Sequence, residues 1–121
     1  MKKEYIHVVD PTRIPVPGNK LIEEFIGLAN NGNQQVSVAH MVAPPHWTEE
    51  PQKPEFDEIT IMLRGQMHIE IAGESVVLGA GQVFMSKKGE EIRYSNPFNE
   101  ENEYWAICIP AFSVERAGRK K

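Results

Sequence analysis

Residues 57–89, DEITIMLRGQMHIEIAGESVVLGAGQVFMSKKG, decide the fold. Counting from Glu58, glycine falls at Gly65 and then at Gly73, Gly81 and Gly89, one every eight residues. Between these glycines the chain is alternating or continuous in apolar character, and no proline interrupts it from Glu55 to Asn96. Short antiparallel strands joined by tight glycine turns have this rhythm, and such a series closes into a small barrel. Side chains alternate across a strand, so Glu58, Thr60 and Met62 share one face and Ile59, Ile61 and Leu63 the other. Both faces are largely apolar, as expected where a strand lies between a barrel interior and a second layer or a partner subunit.

Outward from this stretch, strands are predicted at Glu58 to Leu63, Gln66 to Ile71, Ser75 to Leu78, Val83 to Ser86, Ile92 to Ser95 and Tyr104 to Ile109, with Pro110 ending the last. Upstream, VSVAHMV is β-branched enough to be a strand, and Glu4 to Val9 alternate well enough for an edge strand. The segment KLIEEFIGLAN satisfies both periodicities, with local spacing slightly favouring a helix. Pro44, Pro45, Pro51 and Pro54 bracket a loop carrying His46, Trp47, Glu49, Glu50 and Gln52. The chain of 121 residues reads as one domain, with the core barrel over about 34–112, N-terminal strands and loop over 1–33, and a tail over 113–121. Arg116, Arg119, Lys120 and Lys121 in that tail are expected to be solvated.

A formal net charge of -4 argues against nucleic acid and against anionic membrane surfaces as partners. A single cysteine, Cys108, forms no disulfide within the chain and suits a cytoplasmic protein. The N-terminal MKKEYIHVVD has no apolar run of signal-peptide length. Cys108 itself, within WAICI, reads as a buried and inert thiol.

Taken together, the residues resemble the cupin family, small barrels whose first motif ends in a glutamate, six residues and a glycine, as Glu58 through Gly65 do. Of the second motif, Gly81, Gly89 and Asn96 keep their places, while Lys87 stands for its proline and Ile92 for its histidine. The resemblance implies an all-β fold, a double-stranded β-helix or jelly-roll barrel of two antiparallel sheets. DEITIMLRGQMHIEI and GAGQVFMSKKGEEIRYSNP are also similar to the cupin domain of ethanolamine-utilisation proteins, to which an acetate kinase activity has been attributed; this chain shows no glycine-rich phosphate cradle. In metal-binding cupins two histidines precede the glutamate; here Gln52 and Pro54, or Pro51 and Lys53, occupy those places. A glutamate with an amide does not hold a divalent transition metal tightly, so no cofactor is favoured. The alternative is one ion of iron, manganese, zinc or nickel in a rewired site of His40, His46, Glu50 and Glu58, with His40 the more credible inward histidine, serving an isomerase, lyase or dioxygenase.

Glu58 is thus expected inside the barrel without the usual cation, where a carboxylate must be hydrogen-bonded, paired with a base, or protonated. It is the candidate acid or base, or else a structural hydrogen-bonding group to Tyr94 or Gln52. Tyr94 is expected to point inward, and Arg93 is read both as a structural ion-pair partner and as a ligand contact curling round a strand end. Trp47 and Phe56 flank the loop at the barrel mouth, as aromatic stacking surfaces or as packing. The ligand-binding set is Trp47, Gln52, Glu58, Arg93 and Tyr94, and the expected partners are a small polar molecule and a second copy in a homodimer, for which an added strand from Glu4 to Val9 is one route. The remaining alternative is an interaction module whose barrel is filled by its own side chains.

Overall fold

The computed structural model describes residues 4–118. Ten strands and two single-turn helices follow one another: β1 Thr12–Arg13, β2 Leu21–Ile26, α1 Leu28–Asn31, β3 Ser37–Ala43, β4 Trp47–Thr48, β5 Asp57–Arg64, β6 Gln66–Ile71, β7 Glu74–Gly79, β8 Val83–Ser86, β9 Ile92–Asn96, β10 Asn102–Ile109 and α2 Val114–Ala117. They form a six-stranded sheet in the order β1-β2-β3-β10-β5-β8 and a four-stranded sheet in the order β4-β9-β6-β7. Every pairing is antiparallel. The two sheets face each other as the halves of a jelly-roll barrel.

The strands from β5 onward lie within a residue or two of where the glycine rhythm sets them. Gly65 turns β5 into β6 with φ +75°, and a Cβ there would come within 2.7 Å of the Glu101 carbonyl oxygen, so both backbone conformation and space demand glycine. Two upstream expectations are corrected. The LIEEFI segment is strand β2, because pairing with β3 on one side and β1 on the other satisfies its backbone and its alternation places Ile22 and Glu24 inward; helical geometry is confined to the one turn of α1. Residues Glu4 to Val9 join no strand, and Tyr5, Ile6 and Val9 are exposed.

The tail is also corrected in part. Ser113 caps α2 through its side chain, Ala117 is buried, and backbone bonds run from Lys53 N to Gly118 O and from Glu55 N to Arg116 O. The tail therefore closes over the proline-rich loop, and Arg116 is anchored by it. Arg119, Lys120 and Lys121 lie outside the described residues.

Core packing is uneven along the barrel. At one end Met62, Met67, Ile69, Leu78 and Ile92 fill the space between the sheets. Toward the other end the paired inward positions of β3 and β10 are small, Ala39 opposite Ala106 and Ser37 opposite Cys108. Small side chains on facing strands leave a hollow, and along β5 the inward residues run from Met62 through Thr60 to Glu58, from the filled end into that hollow.

Candidate functional site

The hollow is a cavity of about 60 Å³, measured as the space open to the centres of water-sized molecules. Its polar wall comes from neighbouring elements. Strand β5 supplies Glu58 and Thr60, β9 supplies Tyr94, and the loop between β4 and β5 supplies Glu49 and Gln52. That loop is held because Gln52 exchanges two backbone bonds of 2.8 Å with Ile92, while Trp47 and Thr48 pair with Asn96 and Ser95. Asn96, fully buried, fixes the corner by donating its amide to the carbonyls of Ala43, Pro44 and Glu100. Laid along β9, the loop turns Glu49 inward, where its carboxylate accepts from Gln52 Nε2 and from Tyr94 N.

Lys20 completes the wall. It is 9% exposed, and its Nζ lies 4.1 Å from the centre of the Trp47 ring and 5.2 Å from that of Tyr104. Aromatic faces stabilise an ammonium that has been taken out of water. Sequence reasoning missed this residue, since nothing local in the loop before β2 marks a lysine that will meet a carboxylate from β5. Nor does anything local single out Glu49 from the other glutamates of its loop as the one that turns inward, whereas Thr60 was legible from its place on the Glu58 face.

The electrostatics follow from this enclosure. Burial, and then the neighbouring Glu49 charge, raise the Glu58 pKa from 4.5 to about 7 against the opposing pull of Lys20, Tyr94 and Cys108. What surface Glu58 keeps faces the cavity. The Tyr94 and Tyr104 hydroxyls are pushed well above the ordinary tyrosine value, first by burial and then by carboxylate charge, so both stay protonated. Cys108 is raised too, by burial and then by Glu58, and it remains a thiol. Glu58, Ser86 and Thr60 all stand close enough to the Tyr94 side chain to act on its pKa, and Tyr94 in turn acts on that of Glu58, yet none of the three meets the Tyr94 hydroxyl at full hydrogen-bonding geometry. Tyr94 Oη and Thr60 Oγ1 are therefore buried without a hydrogen-bond partner among the described residues.

The structure divides the residues singled out from sequence. Gln52, Glu58 and Tyr94 meet in the cavity, joined by Phe56. Trp47 does not line it. Its ring packs under Lys20 in a second, outer pocket of about 240 Å³ that shares Lys20, Ile22 and Glu49 with the cavity. Arg93 lies on the opposite face of β9 from Tyr94, with Nη2 3.3 Å from both carboxylate oxygens of Glu70, so of its two readings the geometry gives the ion pair.

The rewired metal set is not assembled. His40 faces outward from the six-stranded sheet, because the inward alternation on β3 falls to Ser37, Ala39 and Ala43; its ring nitrogens contact Glu103 at 2.6 Å and Glu23 at 3.2 Å. His46 is exposed in a turn with φ 65°, and Glu50 is exposed beside the outer pocket. Among the described residues no group of three histidine, cysteine, aspartate or glutamate side chains is placed to hold a metal ion. The other groups lining the cavity with Glu58 are hydroxyls, an amide, a thiol held protonated and the carboxylates of Glu24 and Glu49, both already accepting from N–H groups of the chain, a set without imidazole that is poorly suited to a transition metal.

Comparison with known proteins agrees with the barrel. A family model described as the cupin domain matches residues 39–110. The chain belongs to the cupin family. This cupin is 41% identical over 104 residues to a Myxococcus xanthus protein named endoribonuclease YbeY, covering 86% of this chain and 35% of that protein, so it spans about a third of that relative's length. Among solved structures, this cupin resembles an ethanolamine utilisation protein EutQ of Salmonella typhimurium, with a TM-score of 0.60 and 21% identity over 77% of this chain and 71% of that one. It also resembles Streptomyces PAC13 in a structure with uridine, with a TM-score of 0.76 and 15% identity over 100% and 93% of the two chains. At such identities the two structures speak for the fold. No helix among the described residues is long and apolar enough to cross a membrane.

Proposed function

We propose that this cupin binds a small polar molecule inside its barrel, against Glu58, without a tightly bound metal ion. One observation carries the reading: the barrel is hollow beside Glu58, and that hollow is lined by the buried hydroxyls of Thr60 and Tyr94, which meet no partner at full hydrogen-bonding geometry among the described residues. A barrel serving only as a scaffold would be filled at both ends, as it is around Met62 and Met67. Lys20 supplies, from within the chain, the positive charge that the Glu58 carboxylate would otherwise lack. With a pKa near neutrality, Glu58 can give or take a proton at a bound molecule, so acid or base catalysis is available to this site. The cavity is far too small for a ribonucleotide chain, and the activity in the name of the Myxococcus relative gains no support from it.

The deciding experiment is metal analysis of protein purified without chelators, paired with native mass spectrometry. The expected result is no stoichiometric metal and an organic adduct that disappears on denaturation. A stoichiometric transition-metal ion lost in Glu58→Ala would overturn the proposal in favour of a metal-dependent isomerase, lyase or dioxygenase.

We further propose that the protein is a cytoplasmic homodimer. The outer face of the six-stranded sheet exposes Leu63, Val83, Met85 and Ile109, and on its rim Arg64 and Glu101 present both signs of charge. An exposed apolar face of this kind suits the like-to-like contact of a two-fold dimer. Sedimentation should give twice the monomer mass, and Met85→Lys should halve it.

A further inference from the structure

We propose that the molecule held in the inner cavity is a small uncharged compound carrying two or more hydroxyl groups on a short carbon skeleton. The inference rests on the reading that the barrel interior is a binding site, and three observations narrow the chemistry.

The first is the pair of orphaned hydroxyls. Thr60 is fully buried and Tyr94 is 6% exposed; both line the cavity, and among the described residues neither side-chain oxygen meets a partner at full hydrogen-bonding geometry, although Glu58 and Ser86 stand near Tyr94. A buried polar group left unpaired costs about 1–3 kcal/mol, so the site is complete only when something in the cavity bonds to both. Each of these groups both donates and accepts, and alcohol hydroxyls, which do the same, complement them whichever way the protons point.

The second is charge. Among the described residues, three carboxyl groups line the cavity, from Glu24, Glu49 and Glu58, against the ammonium of Lys20. An anionic ligand would enter a site already rich in carboxylates. A cationic ligand would face Lys20, which already rests on the aromatic rings of Trp47 and Tyr104. It would also find two of the carboxylates engaged, since Glu24 accepts from the backbone N–H groups of Ala29 and Asn30 at 2.9 and 3.1 Å, and Glu49 accepts from Gln52 and Tyr94 N. A neutral ligand avoids both conflicts.

The third is shape. The cavity is also lined by Ile14, Ile22 and Met41, which offer only van der Waals contact to a carbon skeleton. A water needs about 10–15 Å³ in this measure, so the cavity admits a molecule of about five heavy atoms. A short diol, with its oxygens toward Thr60, Tyr94 and Glu58 and its carbons toward the isoleucines, fits these three conditions together.

The test uses three probes of nearly equal size that differ in charge: propane-1,2-diol, lactate and 1-aminopropan-2-ol. Binding to the full chain is measured by saturation-transfer NMR and thermal shift, and its place by crystals soaked in each probe. The expected result is that the diol occupies the cavity with an affinity about tenfold or more above either charged probe, that Thr60→Val and Tyr94→Phe each weaken it about tenfold, and that Thr60→Ser retains it. Tighter binding of lactate or the amino alcohol in the same cavity would overturn the neutral-diol assignment while leaving a ligand-binding barrel intact. If no probe binds at up to about 0.1 M and crystals show only waters on Thr60 and Tyr94, both the assignment and the binding role of the barrel fall.

Discussion

Two glutamates on neighbouring strands show how differently the two faces of one sheet treat the same side chain. Glu58 on β5 points into the hollow, and burial lifts its pKa to about 7. Glu103 on β10 points outward among His40 and Arg64, and their hydrogen bonds and charges hold its pKa below the usual value. The inward group is governed by loss of water, which a single ammonium against aromatic rings only partly offsets. The outward group keeps its water and gains partners. Alternation along a strand thus separates a poised carboxyl from an inert ion pair by the thickness of one sheet.

The largest effect that would break the comparison comes from removing the inward charge. Because the Glu58 pKa is raised on folding, its contribution is most favourable below the unfolded value of 4.5 and is lost as pH rises through about 7. Glu58→Gln should therefore stabilise the protein at pH 8 by roughly 3 kcal/mol and flatten its stability across that interval, as chemical denaturation at a series of pH values would show. If the variant is no more stable than the parent at pH 8, the inward carboxyl is not desolvated and the contrast with Glu103 disappears.

A smaller effect concerns the ammonium. Lys20 lowers the Glu58 pKa, so Lys20→Met should move it above 7, followed by NMR of the side-chain carboxyl carbon. No movement would mean that Lys20 serves Trp47 and Tyr104 alone. The smallest effect lies on the outer face. Since the Glu103 pKa is depressed, its contribution is present above the unfolded carboxylate value and fades as pH falls. Glu103→Gln should change stability only slightly, and the difference from the parent should vanish in acid; a larger loss than in Lys20→Met would reverse the ranking of the two faces.

The sequence carried much of the fold. Turn chemistry and period-two alternation are local properties, so Gly65, Gly73, Gly81 and Gly89 marked the strand ends and the Glu58 to Met62 face was correctly turned inward. Of these glycines only Gly73 lies in a hairpin, between β6 and β7, while the other three stand where the chain passes from one sheet to the other. It failed where a local pattern admits two answers: LIEEFI became a strand because β1 and β3 supply its hydrogen-bond partners, and His40 turned outward because the strand's small residues, not its valines, face the barrel. The site was half legible. Glu58, Gln52 and Tyr94 came from motif position and alternation, while Arg93 was drawn off by Glu70 across the β6–β9 pair and Trp47 became the platform for Lys20.

By itself, the order of residues determined that this chain is a β barrel with an acidic group inside. Only the tertiary structure decided what answers that acid. Lys20 reaches it from before β2, Glu49 from a loop pinned to β9, and the hollow between them exists because small residues of β3 and β10 face each other. Strand pattern is set by neighbours in sequence, but charge and free volume are set by which strands the barrel brings together.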